Sequence, residues 1–306
     1  MRIAHFSDLH ILSLEGVKPH RFLNKRLTGY ANLRFKRGHI HHPELVRSIA
    51  REIRGIGVDH VVITGDLTNL ALDEEFVAVR RLLDDELGLP AEDVSVVPGN
   101  HDLYTRGALR AKRFVKYFGE HMTTDLPELG VDVGLGLFPF VRLRGPAAII
   151  GLTSAVPRPP LFATGKVGAA QAGALTKILE HPEVRRRTPV VLMHHPLHNP
   201  VRAMKRLLTG LSDAALLWST LDAAPRGLVL HGHLHERIQR SVPTRAGRML
   251  SVGATSASLD HEDEGRMAGF NVYEIGPGGD IDAIKAHVFD RKTEKFTVGS
   301  MPRLMD

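Results

Sequence analysis

The chain has 306 residues, 43% hydrophobic and 24% charged, enough for one large domain or two small ones around a real core. Cysteine is absent, which excludes disulfides, thiolate nucleophiles and cysteine-based zinc sites together. No apolar run approaches the ~18 residues of a spanning helix. The net charge of +6 is concentrated, because residues 16–43 hold seven cations and no acid and the rest of the chain is close to neutral.

The chain starts directly in a strand pattern at residues 3–6, without the apolar segment and cleavage site of a secretory signal. The expected location is cytoplasmic, with peripheral membrane contact left open. Residues 43–56 read as a helix, with Pro43 in its first turn and Leu45, Ile49, Ile53 and Ile56 at helical spacing. A buried strand follows at 60–63. Next comes a helix from Asp73, its expected N-cap, with Phe76, Val79, Leu83 and Leu87 on one face. Residues 94–97 read as a strand, 107–118 as a helix and 142–152 as a hairpin turning at Gly145-Pro146. A weak helix at 167–179 leads to apolar strands at 189–193 and 227–230. From about residue 237 the pattern is a run of strands at 237–242, 248–252, 270–275 and 281–288. No repeat or linker divides the chain, so the expectation is a single domain over 1–306, with a basic insert at about 12–42 and a strand-rich C-terminal part.

Ligand-type side chains gather just past the predicted strand ends, where α/β sheets place their sites. They are Asp8 and His10, then Asp66, then Asn100, His101 and Asp102, then His194 and His195, and last His233 and His235. Residues at i and i+2 of an extended strand end point the same way, so each such pair can address one site. Imidazole, carboxylate and amide oxygen suit Mn, Fe or Zn better than Ca, and the number of groups exceeds what one ion needs.

In order, these blocks spell DxH, GDxT, GNHD, VxxH (Val191 to His194) and GHxH. Their sequence and placement resemble the calcineurin-like metallophosphoesterase superfamily over residues 1 to about 275. Among its branches, the chain is most similar to bacterial phosphodiesterases of cyclic nucleotides or glycerophosphodiesters. The resemblance implies a four-layer α/β/β/α sandwich and two metal ions, with Mn favoured over Fe or Zn. One ion would take Asp8, His10 and His235, the other Asn100, His194 and His233, and Asp66 would bridge them. Catalysis would fall to Asn100, His101 and Asp102, with His101 facing the substrate as a proton donor and Asp102 fixing its tautomer. Two divalent ions would hold a shared water as hydroxide near neutral pH for attack on a phosphodiester.

Two other enzyme readings stand beside this one: a membrane-surface hydrolase of a lipid-linked phosphodiester or pyrophosphate (the UDP-diacylglucosamine type), and a phosphomonoesterase. A scaffold without activity has no need of so complete a ligand set. Low in the ranking, His195, His198 and Asn199 are candidates to line the substrate pocket. His5 reads as a core histidine and His231 as core or support. His39, His41 and His42 read as a solvated loop before the Pro43 helix.

In the insert, Phe22, Leu23, Leu27, Tyr30 and Leu33 fall on one helical arc, with Arg21, Lys25 and Asn32 opposite and Arg26 and Arg34 intruding. A surface helix, an active-site lid and a segment meeting anionic lipid all remain open. Nucleic acid ranks last, because only Phe22, Tyr30 and Phe35 interleave with the cations Arg21, Lys25, Arg26, Arg34, Lys36 and Arg37. The expected partner is a small phosphodiester, and the oligomeric state stays open.

Overall fold

Runs such as Val190-Val191-Leu192-Met193 are apolar on both faces, so the sheet that holds them has to be covered on both sides. The computed structural model describes residues 1–22, 25–32, 41–302 and 304. In chain order the first elements are β1 (Arg2–Phe6), α1 (Lys25–Asn32), α2 (Pro43–Ile56), β2 (His60–Ile63), α3 (Asp73–Leu82), β3 (Val94–Val96), α4 (Arg106–Arg110) and α5 (Arg113–Phe118). A central section follows with β4 (Val131–Asp132), β5 (Leu137–Phe138), β6 (Phe140–Arg144), β7 (Ala147–Gly151), α6 (Ala169–Glu180), α7 (Pro182–Arg185) and β8 (Thr188–Leu192). The last section holds α8 (Ala203–Thr209), α9 (Ala214–Leu221), β9 (Arg226–His231), β10 (Ile238–Thr244), β11 (Gly247–Gly253), β12 (Gly269–Ile275), β13 (Ile281–Asp290) and β14 (Lys295–Ser300).

The strands form two six-stranded sheets, in the orders β14-β13-β12-β1-β2-β3 and β10-β11-β9-β8-β7-β6. In the first, β1, β2 and β3 run parallel, and β12 returns antiparallel beside β1 from Arg2 opposite Glu274 to His5 opposite Asn271. In the second, β7, β8, β9 and β11 are parallel.

Strand alternation explains the layering. Ile149, Val190, Leu192, Leu228 and Leu230 share one core with the first sheet and with α2 and α3. Their strand neighbours Ile150, Val191 and Val229 point the other way, into a second core with Leu175 and Ile178 of α6 and Leu217 and Leu221 of α9. The result is the expected four-layer α/β/β/α sandwich.

Helix α2 matches its sequence pattern from Pro43 to Ile56 and buries Leu45, Ile49 and Ile53. Other elements differ for local reasons. Leu72, not Asp73, caps α3, and the buried Glu75 carboxylate accepts from the N–H groups of Leu70 (2.9 Å) and Leu72 (3.0 Å). The helix expected at 107–118 is two short ones, broken where Lys112 takes φ +47°. That break turns Arg113 inward to Asp73 (2.7 Å). Helices α8 and α9 and strand β14 had no counterpart in the sequence reading.

Arg142, read as the start of a hairpin strand, is fully buried. Its guanidinium donates to the carbonyls of Ala91 (2.8 Å), Glu92 (3.0 Å), Val94 (2.9 Å) and Glu120 (2.7 Å), and to Thr123 Oγ1 (2.9 Å). It thus ties β6, the edge of the second sheet, to the turn entering β3, the edge of the first. Arg142→Met keeps the stem but strands those carbonyls, and we expect it to cost about 3 kcal/mol or more in urea unfolding. A loss below about 1 kcal/mol would show that water replaces the guanidinium at little cost.

Candidate metal centre

The parallel strands of both sheets end at the same seam, so the loops after β1, β2, β3, β8 and β9 converge there. Nine non-glycine residues among those described have positive φ, and five of them are Asp8 (+54°), His10 (+48°), Asp66 (+51°), His233 (+70°) and His235 (+53°). This corrects the reason given for pairing by i and i+2. Asp8 and His10 share a site because both adopt the left-handed conformation, not because the strand stays extended. Such strain concentrates at functional sites. A side chain at Gly232 would run into Ser7 and Asp8, and one at Gly99 into Asp66, so the loops pass each other at backbone contact.

Asp8, His10 and His235 form one cluster. Asp8 Oδ1 lies 3.1 Å from His235 Nε2 and 3.8 Å from His10 Nε2, and the two imidazole nitrogens are 3.2 Å apart. His194 Nε2 lies 3.3 Å from Asp66 Oδ2 and 3.2 Å from Asn100 Oδ1, and its ring centroid is 5.2 Å from that of His233. Asp66 belongs to two three-residue clusters, one with Asp8 and His194 and one with His10 and His101. Asp8 likewise belongs to two, one with His10 and His235 and one with Asp66 and His194, so both carboxylates lie between the histidines of the site. The Asp8 carboxylate also receives the His233 backbone N–H (3.0 Å).

These side chains fit a cation. The Nδ1–H of His194 donates to Thr64 O (2.7 Å), which leaves Nε2 as a lone pair aimed at two oxygens that are themselves acceptors. In the same way the Nε2–H of His233 donates to Thr209 O (2.9 Å) and leaves Nδ1 available. Asp8 Oδ1 and His10 Nδ1 are buried without a hydrogen-bond partner. Acceptors facing acceptors in a dry seam need positive charge between them. Burial would lower the pKa of His194, but the Asp66 carboxylate outweighs it and raises it to about 9. A proton can therefore stand where a metal ion would bind. Burial raises the pKa of Asp66, yet His194, His101 and His10 overcome this and hold it well below the usual carboxylate range. Burial and the neighbouring His194 lower His233 to about 3, so its ring is neutral at physiological pH.

His101 borders the centre, its ring edge-on to His10 at 5.0 Å. Asp102 is not its partner, which corrects the role expected for that carboxylate. Asp102 accepts from the N–H groups of Gly99 (2.9 Å), Leu67 (3.2 Å) and Thr68 (3.0 Å) and from Thr68 Oγ1 (3.0 Å). It staples the loops after β2 and β3 together, because a buried carboxylate goes to the densest set of donors. The tautomer of His101 is set instead by Asn69, whose carbonyl accepts from Nδ1 (2.7 Å). Tyr104 stacks on the His101 ring at 5.5 Å.

The three candidate substrate residues are used internally. His195 is fully buried, with Ser154 Oγ donating to Nδ1 (2.8 Å) and Nε2–H donating to Ala163 O (2.9 Å). Asn199 closes both amide bonds on the backbone of Leu211 (2.7 and 2.8 Å). His198 donates from Nε2 to Ser241 O (3.2 Å) and packs edge-on to Trp218. His5 is the core histidine expected, bonded to Tyr273 (3.1 Å) and Thr64 (2.9 Å).

His41, read as solvated, packs against His10 at 5.0 Å and His235 at 6.0 Å and pairs with Ser258 Oγ (2.7 Å). The bridge from His41 to Leu259 carries it there, a contact with no local sequence signal. Asn69 follows directly after the GDxT block at Gly65 to Thr68, but nothing local marks its carbonyl as a partner.

Several insert residues face inward. The buried Arg26 donates to the carbonyls of Leu70 (2.7 Å) and Ala71 (3.0 Å). Lys25 lies over the Tyr104 ring at 4.2 Å and donates to Arg158 O (3.0 Å). A side chain at Gly29 would strike the Tyr104 hydroxyl, so α1 packs against the residue that stacks on His101. Leu23, Leu33, Arg34, Phe35, Lys36, Arg37 and His39 lie outside the described residues.

A family profile for calcineurin-like phosphoesterases matches residues 1–237. No curated protein matches by sequence. Similar solved folds include a dimetal phosphatase from Danio rerio, with a TM-score of 0.53 and 13% identity over 99% of each chain. A purple acid phosphatase from yellow lupin (Lupinus luteus) superposes with a TM-score of 0.59 and 11% identity, over 97% of this chain and 52% of that one. A 5'-nucleotidase precursor from Thermus thermophilus gives 0.50 and 18% identity, over 94% and 53%. At these identities the likeness is one of fold.

Two measurements test the centre. By elemental analysis, Asp66→Asn should lose bound metal, whereas His195→Ala should keep it and only melt earlier; metal loss in His195→Ala alone would reverse the assignment. Apparent Mn affinity should rise with pH across neutrality and level off above about 9, since the ion displaces the proton on His194. Calorimetry in buffers of different ionisation heat reads that released proton, and a pH-independent affinity with no release would contradict it.

Proposed function

The chain belongs to the calcineurin-like phosphoesterase family, and from that premise we propose that it is a two-metal phosphodiesterase, most simply a Mn enzyme. The observation that carries the reading is the pair of donor clusters joined by Asp66, with His101 at their border. Asp8, His10 and His235 would hold one ion, and Asn100, His194 and His233 the other. Bound there, the ions supply Lewis-acid charge to the phosphoryl group and acidify a water.

The chain's own residues do the remaining work. Asp8 and Asp66 would offset half of the formal charge of two divalent ions, leaving a positive excess suited to an anionic diester. Carbonyls at Thr64 and Thr209 orient the ligating nitrogens. The Asn69 carbonyl holds the Nδ1 proton of His101, so Nε2 can give up a proton only when the ring is an imidazolium. In that form His101 both stabilises charge on the phosphoryl oxygens and protonates the departing alkoxide. Tyr104, stacked on the ring and backed by Lys25, keeps it in place.

Turnover should be measured on bis(p-nitrophenyl) phosphate, cyclic AMP, glycerophosphocholine and p-nitrophenyl phosphate with added Mn, Fe or Zn. Diesters should be preferred; a clear preference for the monoester would replace this reading with a phosphomonoesterase. His101→Ala should retain its metals and lose about 10²–10⁴-fold on alkyl diesters, and much less on p-nitrophenyl esters, whose leaving group needs no proton. Equal losses on both would leave His101 a charge-stabilising residue only.

A further inference from the structure

Among the described residues, ten large apolar side chains are exposed, and five of them lie in two short segments: Leu161 and Phe162, and Val201, Met204 and Leu207. Val201 is 94% exposed and Leu161 90%. The segments are neighbours in space, since Ala163 N–H donates to Leu208 O (2.7 Å), and Phe162 and Leu207 line the same cavity of about 690 Å³. Helix α8 buries none of its residues. Leu161 takes φ +71° at its outward position, a conformation leucine disfavours, directly after the stiff pair Pro159-Pro160.

Cations flank these side chains: Arg158, Arg202, Lys205 and Arg206. No Asp or Glu occurs between Asp132 and Glu180 or between Glu183 and Asp213. Apolar tips ringed by cations, without a compensating acid, match the interface of an anionic membrane, where the tips enter the acyl boundary and the cations meet phosphates. A protein partner is less well matched. A stable protein interface draws on about 20–30 residues per side, whereas this patch comprises two short segments.

We propose that residues 158–162 and 200–207 form a docking face for an anionic phospholipid bilayer. This differs from the expectation placed on the basic insert, whose Arg26 is buried against the protein. The contact is peripheral, because among the described residues no helix is long and apolar enough to cross a membrane. The face is mounted on the loops of the metal centre: Thr209 O holds His233, and Ala163 O holds His195. Docking therefore brings the centre to headgroup depth, where phosphodiesters are abundant. The docking itself does not rest on the hydrolytic reading.

The test is vesicle co-sedimentation of the full chain, comparing phosphatidylcholine vesicles with vesicles that also contain phosphatidylglycerol. Wild type should bind the anionic vesicles at low salt and release at high salt. The triple variant Leu161→Asn, Val201→Asn, Met204→Asn should weaken binding at least tenfold. Arg202→Gln with Lys205→Gln should weaken it about fivefold per cation removed. Both variants should keep the wild-type melting temperature and rate on bis(p-nitrophenyl) phosphate, since none of these residues touches the centre. The proposal is overturned if wild type does not bind anionic vesicles or if the triple variant binds them normally. It is equally overturned if the triple variant turns a wild-type dimer into a monomer without vesicle binding by either, which would make the face a contact between two copies.

Discussion

Two carboxylates, Asp8 and Asp66, are buried among histidine lone pairs at the seam between two sheets, and most of the structure is arranged around meeting that demand. Negative charge removed from water is costly unless positive charge accompanies it. The available positive charge is either a proton on His194 or a metal ion, and the two compete for the same lone pair. Stability and activity are thus linked through one set of atoms. The left-handed backbone at Asp8, His10, Asp66, His233 and His235 adds strain of order 1–2 kcal/mol per residue. The loops that bear it are short extensions of strands locked into two sheets, so the scaffold rather than the loops resists relaxation.

A second constraint acts through carbonyls. His194, His233 and His101 each give one ring N–H to the main chain, at Thr64, Thr209 and Asn69, and so present the opposite nitrogen to the site. The choice differs by position: Nε2 for His194 and His101, Nδ1 for His233. A carbonyl is well suited to this because it accepts only, and no change of pH can turn it into a donor. His195 shows the contrast. Ser154 and Ala163 occupy both of its nitrogens, which leaves nothing for an ion even though it adjoins His194 in the chain.

This contrast marks how far sequence reading reached. The family resemblance carried by the motif blocks implied the four layers and the gathering of Asp8, His10, Asp66, Asn100, His194, His233 and His235 at one seam, and the strand ends were legible because alternation is a local property. Helix α2 was legible to the residue for the same reason. Partners that depend on another segment's backbone were not. Asp102 follows His101 in sequence, and the family resemblance implied a pair, but its carboxylate turns to N–H groups on two loops. His41 reads as polar loop until its bridge to Leu259 sets it against His10. Arg142 occupies a strand position and carries an edge-to-edge brace that no periodicity encodes. Helix α8 has no buried face, so the helical period that would reveal it is absent.

Charge counting has a similar limit. The insert holds the chain's positive excess in sequence, yet Arg26 spends its charge on buried carbonyls and Lys25 on an aromatic ring and a carbonyl. The cations of 202–206 attract less notice as a count, but they are exposed beside exposed apolar side chains. What governs attraction to a surface is charge that remains in water, not charge per length of chain. The loop that carries these residues is also firmly fixed. Asn199 clamps Leu211 from across the turn, and the carbonyl of Thr209, the last residue of α8, holds His233. The outer face and the His233 side of the centre are thus joined through one short helix, α8, by a single main-chain carbonyl.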